Sequence, residues 1–141
     1  MLGLDLRKSV AVLEAAYNDT AGVTAEFNLN ILCHINRELG ADFDLPQFSH
    51  LAFYNQELHQ IEMHLRSQVV QEVVIPDLDL RVSFRAGETI HTEISRKFDA
   101  QEVRKQLAGY GFQFQAQWTD AQQLFVMCLL RYNGPSTVSD A

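Results

Sequence analysis

The hydrophobic pattern of this chain changes from helical to alternating spacing before its middle, and that change limits the folds that it can adopt. Between Ser9 and Gly40 the apolar residues recur at helical spacing, whereas after Pro46 they alternate with polar residues along several short segments. In IEMHL, for example, Ile61, Met63 and Leu65 alternate with polar neighbours. Such alternation is typical of strands that bury one face. The segments that we predict as strands are HLAFYNQ, QIEMHLRSQ, QEVVIP, LDLRVSFR and TIHTEISRKF.

Short polar segments separate these predicted strands. NQEL at residues 55–58 and RAGE at residues 85–88 contain turn-forming residues, and they predict hairpin connections. We therefore expect one antiparallel sheet in the middle of the chain.

Two helices are predicted before the sheet. RKSVAVLEAAYND has apolar residues at helical spacing, with Ser9 as its candidate N-cap and Tyr17 near its end. The second helix, VTAEFNLNILCHINREL, ends at Gly40, which suits a left-handed C-terminal cap. The apolar stripe predicted for this helix comprises Phe27, Ile31, Ile35 and Leu39.

A third helix and a hairpin are predicted to close the chain. Asp99 is the candidate N-cap of AQEVRKQLAGYGF, which Gly109 and Gly111 would end. FQFQAQW alternates, while LFVMCLLRY is a continuous apolar run that is typical of a central strand. The predicted fold class is α+β, with two helices, an antiparallel sheet, a helix and a closing hairpin.

Composition and charge limit the classes of partner and location that the chain can have. The chain has 141 residues, 47% of them hydrophobic, and a net charge of -7, which argues against a nucleic-acid partner because phosphate binding needs clustered cations. No apolar run approaches a membrane span, and the start MLGLDLRKSV predicts no signal peptide. Cys33 and Cys128 lie in apolar runs without CxxC spacing, so we predict buried free thiols and a cytoplasmic location.

The ionisable residues of the predicted sheet allow two interpretations. Glu93 and Ser95 lie two residues apart on one strand, so they point the same way and belong either to a solvated face or to a polar pocket. A carboxylate and a hydroxyl together could bind the N–H groups of an imidazole. The five histidines are scattered and match no ligand motif, so we predict no metal site.

Three further features have a structural and a functional interpretation. Tyr17 is either a tyrosine that packs its ring at the protein's rim or a ligand for a substrate carboxylate. Met63 shares a face with apolar residues, so core packing is its default role, and Trp118 is most simply core. Asn28 and Asn30 stand inside a predicted helix, where asparagine is unfavourable, so one of them is expected to contact another segment.

Much of the chain resembles a known enzyme family. The run AYNDTAGVTAEFNLNILCHINRELGADFDL, followed by AFYN, IEMHL, GETIHTEISRKF and WTD, is similar to the C-terminal half of histidine-specific, S-adenosylmethionine-dependent methyltransferases. The resemblance runs from Leu2 to about Tyr132. Members of this family make hercynine, the trimethylated histidine that leads to ergothioneine.

The resemblance also implies a domain plan. The family combines a Rossmann-like methyltransferase sheet with a substrate domain inserted late in the chain. Residues 1–7 would end a strand of that sheet, residues 8–97 would form the substrate-binding insertion, residues 98–133 would be the last helix and strand hairpin, and residues 134–141 a flexible tail.

The family's substrate ligands can be carried over by position. The resemblance implies that Tyr17 contacts the substrate carboxylate, that Glu93 and Ser95 hold the imidazole, that Met63 forms an apolar wall, and that Phe27 sits near the amine. It implies no catalytic acid or base, because methyl transfer from a sulfonium depends mainly on positioning.

The resemblance leaves the cofactor outside this chain. The family's Gly-rich S-adenosylmethionine loop has no counterpart here, so we expect the cofactor in the complete enzyme, poor binding by this chain alone, and a cofactor-binding half chain as a partner. Exposed strand edges would invite homo-oligomers. The alternatives are a non-catalytic amino-acid-binding or dimerising module from that family, and an independent small α+β protein.

Overall fold

The computed structural model describes residues 1–134 and has the α+β class that the pattern predicts. The helices are α1 (Val10–Tyr17), α2 (Val23–Leu39) and α3 (Ala100–Gly109). The strands are β1 (Leu2–Asp5), β2 (Phe48–Asn55), β3 (Gln60–Ser67), β4 (Gln71–Ile75), β5 (Leu80–Phe84), β6 (Thr89–Arg96), β7 (Phe112–Thr119) and β8 (Phe125–Tyr132). Beyond residue 134, the predicted tail lies outside the described residues. Within the described part of the chain, no helix combines the length and apolar character that a membrane crossing requires.

The chain divides into two compact units. Val10–Ser95 form one unit, and Met1–Ser9 together with the chain from Arg96 onward form the other. The assignment of residues 8–97 to substrate binding stays a prediction.

The strands of the Val10–Ser95 unit form two antiparallel sheets instead of the single sheet expected. One has the order β2-β3-β6, and the other pairs β4 with β5. The segment at 55–58 is a hairpin turn as predicted, but the segment at 85–88 is not, because β5 and β6 belong to different sheets. The backbone of Ser67 instead bonds to Gly87 and Glu88, which turns the chain away from β5 and towards β3.

Helix α2 has the predicted bounds, and Gly40 caps it in the left-handed conformation at φ 62°. The predicted stripe is confirmed in part, because Ile35 and Leu39 pack against the core. Near its start, however, Asn28 and Leu32 are buried while Phe27 is 59% exposed. Asn28 can occupy a core position there because its side-chain nitrogen has hydrogen-bond partners inside the protein.

The larger core cluster of this unit packs α2 against the strands. The loop after α2 is fixed by Asn36, whose side chain bonds both the backbone N–H and the C=O of Phe43. The rings of Phe43 and Phe84 lie 5.7 and 5.5 Å from the ring of Phe48, in edge-on geometry. The buried members of the cluster are Leu32, Phe43, Phe48, Leu65, Val73, Ile75 and Phe84.

Replacing Phe48 with alanine is expected to lower the free energy of unfolding by about 3–5 kcal/mol, because a 4% exposed ring leaves a cavity that its neighbours fill only in part. Urea unfolding followed by circular dichroism measures the loss. Phe27→Ala is the matched control, with an expected change below about 1 kcal/mol, since this ring is 59% exposed. Equal losses in the two variants would contradict the packing described for Phe48.

The other unit is built on the sheet order β1-β8-β7, so the apolar run Phe125–Tyr132 is its central strand as predicted. Leu4, Val126 and Cys128 form its buried core. Helix α3 begins after Asp99, whose carboxylate accepts bonds from the N–H groups of Gln101 and Glu102.

Two burial predictions fail for single side chains. Trp118 is 55% exposed on β7 and is not a core residue. Cys128 is buried, which raises the pKa of its thiol, but Cys33 is exposed. Cys33 directly follows the buried Leu32 on α2, and a step of one residue turns a helical side chain by about 100°.

A buried ion pair joins β1 to the segment after β6. The side chain of Lys97 is fully buried, and its ammonium donates to Asp5 at 2.8 Å, while Lys8 donates to the other oxygen of Asp5 at 2.6 Å. Burial disfavours the ionised carboxyl of Asp5, but the hydrogen bonds and charges of Lys8 and Lys97 outweigh it and hold its pKa below the ordinary value.

Candidate functional site

Tyr17 and Ser95 are in direct contact, although 78 residues separate them in sequence. Tyr17 is the last residue of α1, and its hydroxyl donates to Ser95 Oγ at 2.7 Å. The ring of Tyr17 packs against a small core cluster that comprises Leu13, Ala52, Ile61 and Met63. The hydroxyl of Tyr17 therefore contacts strand β6, while its ring packs against residues of β2 and β3.

A histidine and a buried asparagine fix the backbone at Tyr17. His50 Nε2 lies 2.9 Å from the carbonyl oxygen of Tyr17, and Asn28 Nδ2 lies 3.0 Å from His50 Nδ1. Asn28 Nδ2 also donates to the carbonyl of His64 at 3.0 Å, which identifies this atom as the amide nitrogen. His50 Nδ1 is therefore the acceptor, and Nε2 carries the proton that is donated to Tyr17.

The turn after Tyr17 is fixed in a similar way. Asn18 Nδ2 donates to the carbonyl of Ala52 on β2 at 3.1 Å. The carboxylate of Asp19 accepts the backbone N–H groups of Val23 and Thr24, each at 2.9 Å, and these bonds hold the pKa of Asp19 below its ordinary value. The C-terminus of α1 is thus tied both to β2 and to the start of α2.

The sequence analysis missed the roles of Asn28 and His50. The signal was present, because an asparagine inside a helix was expected to contact another segment. Its partners lie on β2 and β3, which are 22 and 36 residues away in sequence, so no local pattern could name them.

Met63 is 2% exposed and packs in the same cluster as the ring of Tyr17. Its carbonyl accepts a hydrogen bond from Thr92 Oγ1 at 2.9 Å, which links β3 to β6. The default prediction of a core role fits this position, and a role as the wall of a ligand pocket stays a prediction.

Glu93 and Phe27, the other two predicted ligands, are exposed side chains. Glu93 is exposed on β6, two residues before Ser95. Phe27 is 59% exposed on α2. The hydrogen bond between Tyr17 and Ser95 is made by the two hydroxyls themselves.

The sequence of this chain matches a family model over residues 1–132, and the model describes histidine-specific, SAM-dependent methyltransferases. The chain belongs to this histidine-specific methyltransferase family. The resemblance read from the sequence motifs is therefore confirmed.

Two curated family members are similar along most of this chain. The histidine N-alpha-methyltransferase of Mycolicibacterium smegmatis (strain ATCC 700084 / mc(2)155) is 48% identical over 120 residues, and that of Mycobacterium tuberculosis (strain CDC 1551 / Oshkosh) is 49% identical over 120 residues. The aligned part is 85% of this chain and 37% of each relative. The chain thus spans little more than a third of the relatives' length.

The described residues of this family member contain no glycine-rich loop that leads from a strand into a helix. Phosphate- and nucleotide-binding loops place glycines after a strand and before a helix. Here Gly109 and Gly111 follow helix α3 and lead into β7, which is the reverse order. At Gly3 a side chain would collide with the ring of Phe125, 2.8 Å from the Cβ position, so this glycine serves strand packing.

Proposed function

We propose that this chain is the C-terminal, substrate-binding part of an S-adenosylmethionine-dependent methyltransferase that acts on the α-amino group of histidine. Family membership supports the reaction class, and the names of the two relatives support histidine as the substrate. The observation that carries the assignment to this chain is the hydrogen bond between Tyr17 and Ser95, because it joins two proposed substrate ligands from distant segments.

In this proposal the hydroxyl of Tyr17 binds the substrate carboxylate. Its O–H now donates to Ser95, so it must turn from Ser95 to the incoming carboxylate. A carboxylate is a stronger acceptor than a neutral hydroxyl, which favours the exchange. The backbone of Tyr17 does not need to move, since His50 and Asn18 fix the end of α1.

Ser95 and Glu93 bind the imidazole in the proposed complex. Once the hydroxyl of Tyr17 has turned to the carboxylate, the hydroxyl of Ser95 bonds one ring nitrogen, while the carboxylate of Glu93 accepts the N–H of the other. Met63 supplies an apolar wall beside Tyr17, and Phe27 lies near the amine. The residues of this chain therefore bind and orient the substrate, and no catalytic acid or base is assigned to them.

The proposal places the cofactor site in a part of the enzyme outside the described residues. S-adenosylmethionine supplies the methyl group in this family, and no step that uses it is assigned to this chain. The proposed partners are histidine and a cofactor-binding segment, in the same or another chain, within the cytoplasm. Hercynine is the proposed product.

Replacing Tyr17 with phenylalanine is expected to abolish histidine binding while the fold is retained, because only the hydroxyl is removed from a ring that stays packed. Saturation-transfer NMR from the 141-residue chain to free histidine measures binding. We expect transfer with the wild-type chain and none with Tyr17→Phe.

Tyr110→Phe is the matched control, since Tyr110 is 72% exposed, and it should bind as the wild type does. Absence of transfer from the wild-type chain would refute a pocket formed within this chain. Histidine binding without turnover after a cofactor-binding segment is added would favour the amino-acid-binding module instead.

A further inference from the structure

Strand β3 carries a histidine whose environment is unusual. The ring of His64 lies between Phe53, at 5.3 Å and 18°, and His91, at 4.5 Å and 10°. Its side chain is only 13% exposed, and among the described residues neither ring nitrogen has a hydrogen-bond partner. Polar atoms that are buried without a partner are rare in native proteins, and an absent ion or water commonly explains them.

Glu62 presents a carboxylate oxygen to this histidine. Asn55 and Gln60 donate to Glu62 Oε1 at 2.8 and 2.9 Å, so both amides hold the same oxygen. Oε2 is the oxygen that faces His64, 3.5 Å from Nε2, which is longer than an ordinary hydrogen bond. The hydrogen bonds from Gln60 and Asn55 hold the pKa of Glu62 below its ordinary value.

His91 completes a group of three candidate ligands. One ligand atom each from Glu62, His64 and His91 lies within 4.8 Å of the others. The first two side chains are half-buried and fixed by neighbours, whereas His91 is exposed. Two imidazoles and one carboxylate form a donor set that Zn²⁺ and related ions accept, with amides that orient the carboxylate behind it.

A modest rearrangement would be enough for binding. Zinc bonds of about 2.0–2.1 Å place neighbouring ligand atoms about 3.4 Å apart in a tetrahedron. Glu62 Oε2 and His64 Nε2 are already 3.5 Å apart, so the main approach, of at most about 1.4 Å, is that of His91. The parallel rings must also lose their stacking, because each nitrogen lone pair has to point at the ion in its own ring plane. The exposed His91 can make this rotation while the ring of His64 stays stacked on Phe53.

We propose that Glu62, His64 and His91 form a binding site for one divalent transition-metal ion of the Zn²⁺ class. The site joins β3 to β6 and leaves a fourth coordination position for water or a small ligand. It does not depend on the proposed methyltransferase function, because none of the three residues is assigned to the histidine pocket. It departs from the prediction of no metal site, because His91 lies 27 residues after His64 in the sequence and only the fold brings the two rings together.

Titration of the full 141-residue chain, without an affinity tag, with Zn²⁺ by calorimetry and with Co²⁺ by visible absorption tests the site. We expect one ion per chain, the absorption bands of low-symmetry Co²⁺, and a melting temperature that rises with metal concentration. His91→Ala should weaken binding at least about tenfold, as expected for loss of one ligand. Glu62→Gln keeps the hydrogen bonds that Oε1 accepts and should also weaken binding.

His34→Ala is the control, because His34 is an exposed histidine on α2 that contacts Arg37. The affinity of this variant for the metal ion should equal that of the wild type. The proposal is overturned if the wild-type chain binds no ion, in which case the cluster is an aromatic stack. It is also overturned if His91→Ala binds as tightly as the wild type, or if His34→Ala weakens binding to the same extent.

Discussion

Replacing Asp5 with alanine is expected to lower the free energy of unfolding by about 3 kcal/mol, because the fully buried ammonium of Lys97 loses the carboxylate 2.8 Å away. This value is the low end for a broken buried pair. Asp5 is 35% exposed, so water can enter near the space that its side chain leaves. Urea unfolding of the 141-residue chain followed by circular dichroism measures the change.

Removing the charge of Lys97 should lower the free energy of unfolding less than removing Asp5 does. In Lys97→Met the carboxylate of Asp5 keeps its bond to Lys8 and its contact with water, so we expect a loss near 1 kcal/mol or less. The double variant Asp5→Ala with Lys97→Met should therefore be more stable than Asp5→Ala alone. A double variant as unstable as the sum of the two single changes would show that the pair is not coupled.

The surface pair of Glu72 and Arg81 is the control for this cycle. Both side chains are more than half exposed, at 52% and 68%, although their N–O distance of 2.8 Å equals that between Lys97 and Asp5. Glu72→Ala should change the free energy of unfolding by less than about 1 kcal/mol. Equal losses for Glu72→Ala and Asp5→Ala would mean that burial does not set the strength of the buried pair.

Replacing Glu93 with alanine is expected to lower kcat/KM for histidine by about 10- to 100-fold, the effect of losing a hydrogen bond to a charged group. The measurement uses this chain together with the cofactor-binding segment that the proposed function requires. The preference for histidine over phenylalanine should also fall, because an unpaired carboxylate in the pocket penalises side chains that offer no N–H.

Glu57→Ala is the matched control, since Glu57 is an exposed glutamate in the turn between β2 and β3. It should leave both kcat/KM and the preference unchanged. Glu93→Gln keeps an acceptor oxygen but removes the charge, so its effect should be intermediate. If Glu93→Ala kept the preference of the wild type, the imidazole would have to be recognised elsewhere.

Local patterns predicted the helices well because their signals lie close together in sequence. The bounds of α2 follow from a helical run between two glycines, Gly22 and Gly40, that both adopt positive φ. The start of α3 follows from the carboxylate of Asp99, which bonds backbone groups two and three residues further along. Each of these interactions needs no information about the rest of the chain.

Burial within those helices depended on partners that are distant in sequence. The predicted stripe of α2 included Phe27, yet Asn28 occupies the core position because His50 and the backbone carbonyl of His64 are partners for its side-chain nitrogen. The turn at 85–88 looked like a hairpin because turn residues specify a bend and not the strand that follows it. The backbone of Ser67 decides that β6 joins β3.

By itself, the sequence determined the α+β class, the order of the elements and the family, since these are recorded in periodicity, capping residues and motifs along the chain. Only the tertiary structure decided that Tyr17 bonds Ser95, that Lys97 is buried beside Asp5, and that His64 lies against His91. The physical reason is that these contacts depend on strand pairing and packing between distant segments. A side chain's charge and spacing show what it can bind, and the folded chain decides which partner it meets.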